Sequence, residues 1–80
     1  MNDNTTSIQK EIGEIISLHE KGLFKEALKK TDFLSNANPN NALIFNAYGI
    51  IYASLKNFGK SVDFFSRAIN NQQSGSIFFQ

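Results

Sequence analysis

Residues 21–39 and 55–73 overlay without a gap at an offset of 34 positions, which lays Phe24 on Phe58. A fixed period of about that length, with two amphipathic segments per copy, belongs to helical arrays in which a repeat buries its apolar face only against a neighbour. The same offset lays Ile15 on Gly49, Leu18 on Tyr52, Ala27 on Ser61, Leu28 on Val62, Thr31 on Phe65 and Leu34 on Ala68. The chain is therefore predicted to be all-α, built of antiparallel helix-turn-helix repeats stacked as a short α-solenoid. A binding surface is expected where repeats meet.

Four helices and a C-terminal stub are expected. The first runs from about Ser7 to Glu20, with Thr6 or Ser7 as its cap and Gly22 taking the left-handed conformation that closes it. The second, about Phe24 to Ala37, turns Phe24, Ala27, Leu28, Thr31 and Leu34 inward and Lys25, Lys29 and Asp32 to water. Pro39 ends that segment, because it lacks a donor and restricts the residue before it. Asn41 then caps a third helix, about Ala42 to Leu55, which is apolar almost all the way round and so expected to be surrounded by protein. Asn57 caps a fourth, about Phe58 to Asn71, with Phe58, Val62, Phe65, Ala68 and Ile69 inward. Gly49 facing Ser61 and Ala68 predicts a close approach of two helix backbones.

In the second copy, Phe45, Tyr48-Gly49 and Tyr52, then Phe58, Ser61, Phe65 and Ala68, together with Gly22, Phe24, Ala27, Leu34 and the Asn38-Pro39-Asn40-Asn41 turn of the first copy, resemble the tetratricopeptide repeat family. The resemblance covers nearly all of residues 8–80. It divides the chain into a disordered N-terminus (1–6), two repeats (about 8–41 and 42–75) and the start of a third (76–80). It implies a protein-protein interaction module, in which the first helix of each repeat lines a concave groove for an extended peptide or a partner helix. By position, Gln9, Ile12, Ile16, His19 and Glu20 line it from the first copy, and Leu43, Asn46, Ile50, Ala53 and Ser54 from the second. Members that grip acidic C-terminal tails use Lys and Asn where this chain has Ile12, Ile16 and Ala47, so an apolar strip is the expected ligand instead of a carboxylate.

Glu11 and Glu14 depart from the family pattern, standing where large apolar residues are usual. Two seatings of the first helix follow. Either Ile12 and Ile16 are exposed for a partner, or the helix is rotated so that they enter the core.

Composition narrows the chemistry. The 80 residues contain no cysteine, so there is no disulfide framework or thiolate site, which fits a reducing, cytoplasmic setting. No apolar run suits a signal peptide or a membrane span. The net charge of +1 is spread over interleaved acidic and basic residues and leaves no footprint for nucleic acid. Lys25, Lys29 and Lys30 read as a solvated helix face. Gly59-Lys60-Ser61 imitates the end of a phosphate-binding loop, but Ser54 stands where the motif needs Gly and the flanks are helical. His19 is the sole histidine, without partners for a metal site. No nucleophile, base and orienting group share a spacing, so no enzyme activity, cofactor or metal is expected.

The tail from Ser76 to Gln80 falls in register with the opening of a third repeat. A solenoid ends in a polar capping helix, and two repeats are fewer than the roughly three needed for independent stability. The chain is thus read either as the front piece of a longer array or as one that closes its open end against another copy through Ile77, Phe78 and Phe79. Leu18-His19, Gly22, Ala27 and Asn38-Pro39-Asn40 also resemble repeats that precede bacterial glycosyltransferase or sulfotransferase domains, which makes an N-terminal segment of a larger enzyme the alternative to an interaction module.

Overall fold

The structure is a computed structural model that describes the backbone of residues 3–77 and the side chains of residues 8–71. It is all-helical over that range, with α1 (Asp3–Glu20), α2 (Phe24–Ala37), α3 (Ala42–Ser54) and α4 (Phe58–Ile77). Phe78 and Phe79 of the expected self-association tail lie outside the described residues, as does the side chain of Ile77.

The period of 34 seen in the sequence recurs in the backbone hydrogen bonds of the two tight turns. Gly22 N–H donates to His19 C=O and Leu23 N–H to Leu18 C=O, each at 2.9 Å. At the same offset, Lys56 N–H donates to Ala53 C=O at 3.0 Å and Asn57 N–H to Tyr52 C=O at 2.9 Å. The longer-reaching bond of each pair closes the helix in the manner of a Schellman turn. That motif needs a left-handed residue, supplied by Gly22 at φ 80° in the first turn and by Lys56 at φ 64° in the second. The two helix pairs α1–α2 and α3–α4 are therefore joined by the same turn.

Asn41 caps α3 as expected, its Oδ1 accepting from Leu43 N–H at 2.9 Å and Ile44 N–H at 3.3 Å. Asn57 does the same for α4 at a longer 3.4 Å from Lys60 N–H. The outer helix ends differ from expectation. α1 begins at Asp3, so Thr6 and Ser7 lie within its first turns and do not cap it. No Pro or Gly precedes Gly13 to stop the helix from running back. Likewise α4 does not end near Asn71 but continues through Gly75 to Ile77, so Ser76 and Ile77 close α4 where the repeat register places a new helix.

The core is one cluster. Ile15 of α1, Ala27, Thr31 and Leu34 of α2, and Ile44, Phe45, Ala47, Tyr48 and Ile51 of α3 are buried, with Ser61 and Ala68 from α4. α3 touches all three other helices, as its apolar circumference requires. Its contact with α4 is the closest. Ser61 Oγ donates to the Gly49 carbonyl at 2.8 Å, and a Cβ placed on Gly49 would meet the Phe65 ring at 2.6 Å. Phe64 stacks on Tyr48 with ring centroids 4.4 Å apart, and on Tyr52 at 5.8 Å.

Seating α4 through Ser61, Phe64, Phe65 and Ala68 overturns part of its expected inward face. Phe58, Val62 and Ile69 are exposed. Small residues at 61 and 68 let the α4 backbone approach Gly49, which rotates the large apolar residues next to them out of the contact.

Candidate functional site

The seating of α1 decides whether a groove exists. Ile15 is 1% exposed and belongs to the core, Ile12 packs against that core, and Ile16 remains 39% exposed. Neither of the two orientations open to the sequence is met in full: Ile12 enters the core and Ile16 does not, while Ile15 is buried like its counterpart Gly49. The departures at Glu11 and Glu14 have a partner. Lys30 Nζ reaches Glu11 Oε1 at 2.5 Å and Glu14 Oε1 at 3.0 Å, fastening α1 to α2 from the side. The hydrogen bonds to Glu11 and Glu14 hold the Lys30 ammonium above its usual pKa. Lys30 is thus part of a helix contact, unlike the exposed Lys25 and Lys29 beside it.

On this seating, two stripes of identical spacing follow: Gln9, Ile12, Ile16 and His19 along α1, and Leu43, Asn46, Ile50 and Ala53 along α3. Ile16, Leu43 and Ile50 are 39%, 41% and 38% exposed, and Gln9 is exposed. His19, Asn46 and Ala53 are half-buried. The stripes are joined at one end, where His19 Nε2 lies 2.5 Å from Ser54 Oγ. The imidazole also packs on Phe24, ring centroids 5.3 Å apart. His19 thus ties α1 to α3 and rests on α2.

Half-exposed aliphatic side chains on rigid helices, with amides and a hydrogen-bonded His–Ser pair at the margins, suit apolar contact with a second chain. Among the described residues no three His, Cys, Asp or Glu side chains gather as metal ligands would. The residues of the phosphate-loop imitation have structural positions. Lys60 Nζ lies over the Tyr52 ring, 5.1 Å from its centroid, and Ser61 bonds Gly49. No described helix is long and apolar enough to cross a membrane.

Three features were not anticipated from the sequence. Asp32 is exposed as expected, and it also accepts from Tyr48 Oη at 2.5 Å and so links α2 to α3. A cleft of about 450 Å³ opens at the turns, lined by Gly22, Leu23, Phe24, Lys25, Glu26 and Leu55. Its signal in the sequence is Leu23, an apolar residue at the capping position that Asn57 fills in the second copy; α2 has no side-chain cap. The third is the exposed apolar face of α4.

No family model, curated protein or solved structure matches this chain.

Proposed function

We propose that the chain is a protein-protein interaction module of the tetratricopeptide type, holding an apolar strip of a partner peptide or helix in the groove between α1 and α3. The observation that carries this is the pair of equivalent stripes: Ile16, Leu43 and Ile50 stay partly exposed on helices whose adjacent Ile15, Ile44 and Ile51 are 1% exposed. Side chains left out of a core by a fixed helix rotation form a rigid surface, and binding to it costs little ordering entropy on the module's side. Partners of this kind present anchors at i, i+3 or i+4 and i+7 when helical, or alternate residues when extended. A cytoplasmic setting suits the cysteine-free chain, and the reading assigns it no catalytic role.

The test is selection of random displayed peptides on the full chain, followed by titration of an enriched peptide on Ile16→Asp and Ile50→Asp variants. The reading expects apolar anchors in the enriched peptides and at least about a tenfold loss of affinity in the double variant, roughly 1.4 kcal/mol, with circular dichroism unchanged. Enrichment of nothing, or of peptides that bind both proteins alike, would refute it.

A further inference from the structure

The two repeats fasten their helix pairs at the same three positions by different chemistry. Glu11, Glu14 and Lys30 stand 34 residues before Phe45, Tyr48 and Phe64. In the second repeat these positions form an aromatic cluster, the Phe64 ring centroid lying 4.4 Å from that of Tyr48 and 6.1 Å from that of Phe45. In the first they form the two ion pairs of Lys30 with Glu11 and Glu14. Apolar stacking does not weaken as salt is added, whereas water-exposed ion pairs are screened by it. The side chains of Lys30, Glu11 and Glu14 are 30%, 37% and 49% exposed, so counterions reach all three.

The other attachments of α1 are few. Among the described residues α1 contributes one buried side chain, Ile15, where α3 contributes six buried residues. Ile12 and Leu18 pack at the edge of the core, and His19 adds its bond to Ser54. The remaining three helices hold together without α1. Ala27, Thr31 and Leu34 of α2 are buried in the same core as α3, Asp32 of α2 bonds Tyr48, and Ser61 of α4 bonds Gly49.

We propose that α1 is a strap held shut by charge: the Lys30 clasp keeps it on α2, and screening or loss of the clasp releases α1 while α2, α3 and α4 stay packed. α1 carries half of the paired stripes, so its release dismantles the groove. Affinity for an uncharged apolar ligand then depends on ionic strength, although the ligand's own contacts are not ionic. That consequence rests on the groove reading, and the release itself does not.

The experiment is residue-resolved amide hydrogen exchange of the full chain in about 10 mM and about 1 M sodium chloride, across which the screening length falls from about 30 Å to about 3 Å. In the wild type, α1 amides are expected to exchange about threefold faster or more at high salt, with α3 and α4 unchanged. Lys30→Met should show the faster α1 exchange already at low salt and gain nothing further from added salt. Glu11→Phe/Glu14→Tyr/Lys30→Phe, which carries the residues of the second repeat into the first, should keep α1 exchange slow at both concentrations. Wild-type α1 amides indifferent to salt would overturn the proposal. So would α1 and α3 amides that speed up together, which would make salt act on the whole fold, or a Lys30→Met variant that keeps the wild-type salt response. Titration of a groove-selected peptide at the two salt concentrations separates the two readings. Weaker binding at high salt in the wild type supports both, while α1 release with unchanged binding leaves the strap standing and removes the groove.

Discussion

Gly49 is the residue on which the α3–α4 contact depends. The Phe65 ring occupies the space a Cβ would need, and Ser61 bonds the Gly49 carbonyl. Gly49→Leu must displace an aromatic ring inside a packed interface, which costs about 1–3 kcal/mol; a thermal melt equal to the wild type would show that the helices do not meet there. Lys56 is the converse. It holds a left-handed φ of 64° at the position where Gly22 holds 80° in the first turn, and a side chain in that conformation is disfavoured by about 1–2 kcal/mol. Lys56→Gly removes that cost while loosening the unfolded chain, so a net gain of about 0.5–1 kcal/mol is expected in a denaturant titration. Tyr48 adds a pH effect. Burial, then its bond to Asp32, raises the phenol well above its ordinary value near 10. The folded state therefore keeps the proton that the unfolded state releases. The stability this contributes is complete below about pH 10 and is lost as pH rises beyond it towards the folded value. Tyr48→Phe should flatten that alkaline loss; a variant that unfolds along the same alkaline curve would assign the effect to other groups.

At the scale of the element, apolar spacing was legible wherever a helix has neighbours on the side the spacing marks. The inward set of α2 follows from residue order alone, and so does the burial of most of α3, although Leu43 and Ile50 stay about two-fifths exposed where the apolar circumference predicts cover. α4 shows why the inference stops there. Phe58, Val62 and Ile69 carry as strong an apolar signal as the seated Phe64 and Phe65, yet hydrophobicity records a preference for burial and not the presence of a partner. Its seating was decided by Ser61 and Ala68, whose small size admits the Gly49 backbone. The start of α1 and the end of α4 were illegible for a different reason, since polar residues without Pro carry no stop signal. The contact of Lys30 with Glu11 and Glu14 joins residues distant in sequence and became visible only once the helices were placed. The seating of α1 gives a prediction at this scale. Ile15→Ala should cost about 2–5 kcal/mol as a buried truncation, while Ile16→Ala, at a half-exposed site, should cost under about 1 kcal/mol. Equal losses in urea denaturation would mean that α1 is rotated from the position described.

Over the whole molecule, the repeat is the organising fact. The turn hydrogen bonds recur at the same offset as the apolar residues, so α1 and α3 present equivalent stripes and α2 and α4 present equivalent backs. Among the described residues two apolar surfaces with different properties remain: stripes on α1 and α3 whose aliphatic residues Ile16, Leu43 and Ile50 are about two-fifths exposed, and an α4 face more exposed still. The stripes were legible in the sequence through the resemblance of its repeats, residue by residue. Their depth was not, because Ile12 turned towards the core while Ile16 did not. A domain of this size gains stability from anything that binds its folded form, so a ligand of the kind proposed would raise its melting temperature. The measurement that tests the account most directly is calorimetric titration of one groove-selected peptide into the wild type, Ile16→Asp/Ile50→Asp and Val62→Glu. The account predicts at least about a tenfold loss in the groove variant and unchanged affinity in the α4 variant. The reverse order of sensitivities would contradict it and place the binding surface on α4.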